Sequence, residues 1–143
     1  EDRIGYSQQI LTDVQNAISD GLNVVLDWES GTTKSATYPD FPEIGASITS
    51  FTGLLVYGII RNTTLKSLII TGGETAYGVL SAIGATTVDV KGEIEAGIPW
   101  AVINNGIGAG MTLITKAGGF GDPGSFTRVI RAMQNTRFSD NLF

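Results

Sequence analysis

The sequence contains no cysteine and no histidine. Disulfide frameworks, thiolate nucleophiles, zinc fingers and serine–histidine–aspartate triads are therefore excluded. Basic residues are few: nine Lys and Arg stand against fourteen Asp and Glu, for a net charge of −5. A general nucleic-acid surface needs a basic face, so no nucleic-acid partner is expected. A small anion site is still open, because a few backbone N–H groups and one lysine suffice locally. Long apolar runs are also missing. The longest, Leu54 to Ile60, is broken by Gly58 and is far too short to cross a bilayer. No secretory signal is visible, so a cytoplasmic location without membrane contact is expected.

What is abundant is glycine, 19 in 143 residues, roughly twice the ordinary share. No collagen-like period accompanies it, so the excess belongs to turns and close approaches. With 42% apolar residues the chain has enough material for one domain with its own core.

Helical spacing runs from Tyr6 to Asp20, with Ile10, Leu11, Val14 and Ile18 on one face and Gly21 as the C-terminal stop. Leu22 to Leu26 reads as a short buried strand. Trp28 to Glu43 is the longest irregular stretch, either a ligand loop at a strand's carboxyl end or a solvated connector. Ile44 to Ile60 is a second helix, apolar on more than one face towards its end. Leu65 to Thr71 is a strand running into Gly72-Gly73-Glu74-Thr75-Ala76, and a helix closed by Gly84 follows. Thr86 to Glu93 alternates as a strand with one wet face, Gly97-Ile98-Pro99 turns, and Trp100 to Ile103 and Met111 to Thr115 are further strands. Gly106, Gly108 and Gly110 lack the dinucleotide spacing and precede a strand, so they read as a loop between antiparallel strands. Ser125 to Met133 is an amphipathic helix, with Asp122 expected as its N-cap and Pro123 at its first position. This order predicts an α/β fold, a three-layer sandwich with a mixed, partly parallel sheet.

Two stretches carry the chemistry. Both are strand–glycine–helix junctions: residues 72–76, and Lys116-Ala117-Gly118-Gly119-Phe120-Gly121-Asp122. A helix start presents unpaired N–H groups and a partial positive charge, and glycine lets a ligand come close to the backbone. Phosphate is the natural guest. A glycine turn before a helix also serves as a plain tight connection, and both readings stand at this point. Thr75 can donate its hydroxyl to a phosphate or ribose oxygen. Glu74 can accept from a ribose hydroxyl or hold a metal-bound water, or be only a first-turn acid facing the helix dipole. Lys116 either reaches a phosphate or solvates a strand end. No Walker A loop is present. If the two preceding strands are parallel neighbours, the turns converge on one cleft.

These residues, with Gly92-Glu93-Ile94 and Gly97-Ile98-Pro99 between them, resemble the carboxyl-terminal nucleotide-binding domain of the four-carbon acid sugar kinases. The resemblance covers roughly Ile4 to Met133. It implies an ATP-dependent kinase, using Mg²⁺, for tetronates such as threonate, erythronate or 3-oxo-tetronate. It also implies that residues 1–143 are the nucleotide-binding part of a longer two-domain protein, whose amino-terminal domain supplies the sugar-acid site and the acidic catalytic residues. No catalytic residue is then expected in this chain. By the same resemblance Gly72, Gly73, Glu74 and Thr75 contact ATP, and Gly119 lies beside its phosphates. Gly118 and Lys116, in the same turn as Gly119, are taken with them as candidate ATP contacts. The family places a serine after the first strand of this domain, and Ser30 is the nearest candidate. Ala96 stands where the family commonly has proline. The alternatives are a non-catalytic module binding a nucleotide or phosphorylated metabolite, and an oligomerisation domain whose glycines are structural. Homo-oligomerisation is open in each.

Overall fold

The computed structural model describes residues 3–28 and 42–134. Four helices and four strands follow one another as α1 (Arg3–Ser19), α2 (Pro42–Asn62), β1 (Ser67–Thr71), α3 (Gly73–Ala82), β2 (Val88–Glu95), β3 (Ile98–Ile103), β4 (Thr112–Lys116) and α4 (Ser125–Gln134). The strands form one mixed sheet in the order β1-β4-β3-β2. β1 and β4 are parallel, whereas β3 is antiparallel to both β4 and β2.

Alternation along β3 and β4 divides the core between the two sheet faces. Ile103 and Leu113 point to one face, where they meet Val79 and Ile83 of α3 and Val56 of α2. Ile98 and Ile114 point to the other and meet Val129 of α4. Helices therefore cover both faces, as the three-layer expectation requires. Ile98, Ile103 and Ile114 are completely buried, and each contributes about 1.5–3 kcal/mol through removal from water. This anchors the β2–β3 hairpin and β4 firmly. α2 lies between α1 and α3: Leu55 and Ile59 face Val14 of α1, while Val56 faces α3 and the sheet. That position explains why α2 is apolar on more than one side. Close approach of α2 to α3 depends on two glycines. A Cβ on Gly53 would lie 2.7 Å from the Gly78 carbonyl oxygen, and one on Gly78 would collide with Thr49.

Helix endings follow the sequence closely. After α1, Gly21 has φ of 76°. Its N–H donates to the Ile18 carbonyl, and that of Leu22 donates to Ala17. After α3, Gly84 repeats the arrangement, with its N–H on Ser81 and that of Ala85 on Leu80. Both are paired 5→2 and 6→1 closures, which glycine permits at no steric cost.

Four expectations are corrected. The turn before β3 takes in only Ala96 and Gly97, because Ile98 and Pro99 already belong to the strand, and Pro123 lies ahead of α4 rather than at its first position. Leu22 to Leu26 is not a strand. It leaves α1 without joining the sheet, and Leu22 and Val25 are 61% and 82% exposed. What holds the segment is its far end, where Trp28 Nε1 donates to Thr52 Oγ1 at 2.9 Å and the indole packs edge-on against Phe51. An apolar run states a wish for burial but not which neighbour will satisfy it, and here the anchoring partner is α2. Asp122 is likewise not the N-cap of α4, which begins at Ser125. Its carboxylate instead accepts from the Gly124 N–H at 2.7 Å, closing a turn ahead of the helix. The irregular stretch from Trp28 onwards lies mostly outside the described residues, and so does Ser30.

Candidate functional site

Parallel pairing of β1 with β4 aligns Thr71 with Lys116. The two glycine turns therefore leave adjacent strands at the same level, on the carboxyl side of the sheet where open α/β folds gather ligands. A direct bond joins them: the Gly72 N–H donates to the Lys116 carbonyl at 2.9 Å, and Thr71 Oγ1 donates to the same oxygen at 3.3 Å.

At the first turn, Gly72 has φ 90° and ψ 130°, a conformation closed to residues with a Cβ. Because its N–H is engaged, Gly72 shapes the turn rather than donating to a ligand. The next three N–H groups, of Gly73, Glu74 and Thr75, head α3 without an acceptor inside the helix. Ala76 is the first to close a helical bond, onto Gly72 at 3.0 Å. Among the described residues no side chain caps this end. A Cβ at Gly73 would meet nothing within 4 Å among the described residues, which leave the space in front open. Glu74 is exposed and makes no ion pair among the described residues. The Thr75 hydroxyl is half-buried and makes no hydrogen bond among them.

At the second turn, Gly118 and Gly119 are exposed, and a Cβ on either would meet nothing within 4 Å among the described residues. Lys116 folds back over its own loop, with Nζ 3.3 Å from the Ala117 carbonyl oxygen and 3.4 Å from that of Gly118. It also lies 6.0 Å from the centre of the Phe126 ring. The Phe120 N–H donates to Ala117 at 3.1 Å, and the Phe120 ring sits over Gly97, where a Cβ would come within 2.5 Å of it.

Behind this loop is a polar cluster that sequence reading passes over. Ser125 is completely buried. Its hydroxyl donates to Glu95 Oε1 at 2.6 Å and accepts from the Asp122 N–H at 2.9 Å and from Arg128 Nη2 at 3.0 Å. Arg128 grips Glu95 through Nε at 2.7 Å and Nη2 at 3.2 Å, and reaches Asp122 Oδ1 at 3.0 Å. The Arg128 guanidinium, and after it the Ser125 hydroxyl, hold the Glu95 carboxyl below the usual range. The Gly124 N–H, and after it Arg128, do the same for Asp122. Both shifts are downward. The stabilisation they represent is complete above the ordinary carboxylate range and is lost as pH falls through the lowered values. Spacing within residues 122–128 hints at the helix-start part of this cluster, but nothing local links it to Glu95, thirty residues earlier.

Gly106 and Gly108 have no part in the site. Gly106 packs against the backbone of Ile83 and Gly84, and Asn105 accepts from the Thr86 N–H at 2.9 Å. A shallow groove of about 390 Å³ between Tyr77 and Thr86 lies towards the carboxyl end of α3, away from Gly73.

Residues 1–126 match the family described as the nucleotide-binding C-terminal domain. A D-threonate kinase of Bordetella bronchiseptica is 35% identical over 72 residues, 50% of this chain and 18% of the relative. A 3-oxo-tetronate kinase of Salmonella typhimurium is 36% identical over 70 residues, 49% of this chain and 16% of the relative. The matched stretches thus span under a fifth of the length of these relatives. Its fold is shared with a solved protein of B. bronchiseptica, a domain of unknown function crystallised as a domain-swapped dimer with bound citrate. The TM-score is 0.62 at 23% identity, over 87% of this chain and 30% of that one. This chain belongs to the nucleotide-binding carboxyl-terminal domain family of the four-carbon acid sugar kinases. Among the described residues no helix is long and apolar enough to cross a membrane.

Proposed function

We propose that this domain holds the nucleotide of a cytoplasmic, ATP-dependent kinase for four-carbon sugar acids such as threonate, erythronate or 3-oxo-tetronate. The observation that carries the reading is the register of β1 with β4. It sets two open glycine turns side by side, one heading a helix with free N–H groups and the other exposing Gly118 and Gly119. Phosphate oxygens accept from the N–H groups of residues 73–75 and 118–119, each such charge-assisted bond being worth about 1.5–3 kcal/mol. Mg²⁺ would travel on the phosphates with most of its water, as it commonly does. Glu74, exposed and unpaired among the described residues, would hold one of those waters.

Phosphoryl transfer asks a protein mainly for positioning and charge stabilisation. In this reading the present chain orients the triphosphate, and a second domain, which the short coverage of the kinase relatives leaves room for, brings the acceptor hydroxyl and its base. Homo-oligomerisation is compatible with the same arrangement. The test is calorimetric titration of the chain with Mg-ATP and Mg-ADP. Saturable one-site binding supports the reading, and absence of binding returns the glycines to a structural role.

Thr75 offers a finer test. Its hydroxyl caps nothing among the described residues, so Thr75→Val is expected to weaken Mg-ATP binding by about 0.5–1.5 kcal/mol, more if the acceptor is charged. The melting temperature should not change. A fall in stability with unchanged affinity would assign the hydroxyl to the fold.

A further inference from the structure

The second glycine turn has no regular structure of its own, yet its two exposed amides must point somewhere definite to bind an anion. Peptide planarity shows what aims them. In a trans peptide the C=O and the following N–H point in opposite directions. Lys116 Nζ draws the carbonyl oxygens of Ala117 and Gly118 towards itself. The N–H groups of Gly118 and Gly119 belong to those same two peptides and so face away from the lysine together. Neither donates to an acceptor among the described residues. Two successive N–H groups turned to one side form a small concave anion site.

The far end of the loop is clamped as firmly. Gly121, with φ of 82°, is wedged against the Ser125 hydroxyl, and a Cβ there would also come within 3.2 Å of Lys116 Cε. The hydroxyl spends its single donor on Glu95 and accepts from Asp122 and Arg128, which uses its whole hydrogen-bonding capacity. Glu95 stands at the end of β2, held by the hairpin whose next strand begins with the fully buried Ile98. Its two oxygens meet the Arg128 fork in a bidentate pair, the geometry that gives such pairs directional strength. A rigid hairpin is thereby tied, through one carboxylate, to the start of α4 and to the loop that precedes it.

We propose that Glu95, Ser125, Arg128 and Lys116 act as positioning residues: they set the direction of the Gly118 and Gly119 N–H groups, and through it the affinity for a phosphate-bearing ligand, without touching that ligand. The proposal rests on the nucleotide reading of the site, and it reverses the obvious role for the lysine. Lys116 works through carbonyl oxygens on the side of the loop away from the phosphate.

Exchange of the Phe120 amide hydrogen reports the clamp independently of any ligand, because that N–H closes the loop onto Ala117. Exchange in the free protein and Mg-ATP affinity should be measured for the wild type, Glu95→Gln, Arg128→Met and Arg128→Lys, with the Leu113 amide as a core reference. Glu95→Gln and Arg128→Met are expected to speed Phe120 exchange and raise Kd about tenfold, the loss of roughly one charge-assisted hydrogen bond. Leu113 exchange should stay within about twofold of the wild type, a bound set by the tenfold Phe120 effect it is compared with. Arg128→Lys keeps the charge without the fork and should recover part of both losses. Unchanged Phe120 exchange in folded Glu95→Gln overturns the proposal, and so does equal acceleration at Phe120 and Leu113, which marks a general loss of stability. If the wild type binds no Mg-ATP, the nucleotide reading falls, and with it the affinity part of the proposal. The clamp is then decided by Phe120 exchange alone.

Discussion

Gly119→Val is expected to remove measurable Mg-ATP binding from a protein that still folds. Gly119 is exposed, a Cβ at this position would meet nothing within 4 Å among the described residues, and its φ is not positive. Valine therefore fits the free chain without strain. The same side chain would occupy the space that a phosphate needs in front of the Gly118 and Gly119 amides. Displacing the phosphate from two charge-assisted bonds costs about 3 kcal/mol or more, a loss of affinity of at least roughly a hundredfold. Calorimetric titration alongside thermal unfolding separates the two effects. Unchanged affinity in a folded variant takes Gly119 out of the site. The contrast is Gly121, where φ is positive and a Cβ would strike Ser125. Substitution there should damage the loop itself.

No ADP release above background is expected from this chain alone with threonate, erythronate or their 3-oxo forms, even where Mg-ATP binds. A sugar hydroxyl needs a positioned base, which typically contributes about 10²–10⁴ in rate, and positioning of the acceptor contributes more. The sequence has no histidine. Glu95 and Asp122 are each engaged by Arg128 and held below the usual carboxylate range, which makes them weaker bases. Glu74 is exposed and has no partner among the described residues that would hold it in place as a base. A coupled ADP-release assay checks this. Sugar-acid-dependent release by the chain alone would place the acceptor site and its base within these 143 residues. Release only on joining to a kinase amino-terminal domain would support the division of labour between two domains.

Much of this architecture is legible in the residues because the signals are local. Gly21 and Gly84 mark the ends of α1 and α3, and both close as expected. Spacing of Val14 and Ile18, or of Leu55 and Ile59, announces helices whose apolar stripes meet. The pairing of the two glycine turns was conditional on parallel neighbouring strands, and β1 with β4 meets that condition. What the residues do not announce is long-range. Leu22 to Leu26 has the composition of a strand, but strand formation needs a partner edge, and Trp28 ties the segment to Thr52 instead. Asp122 has the residue type of an N-cap, yet Gly124 and Arg128 claim its carboxylate ahead of the helix. The tie between Glu95 and Ser125 joins a hairpin to a helix thirty residues away, with no periodicity to betray it. Close packing of α2 on α3 at Gly53 and Gly78 is hidden for the same reason.

The central claim, that the two glycine turns form one phosphate site, is tested most directly by titrating the ¹⁵N-labelled chain with Mg-ATP and following every backbone amide. The account predicts saturable shifts that share one Kd at Gly73, Glu74 and Thr75 on one turn and at Gly118 and Gly119 on the other. Shifts confined to one turn, or centred on the groove between Tyr77 and Thr86, would contradict it.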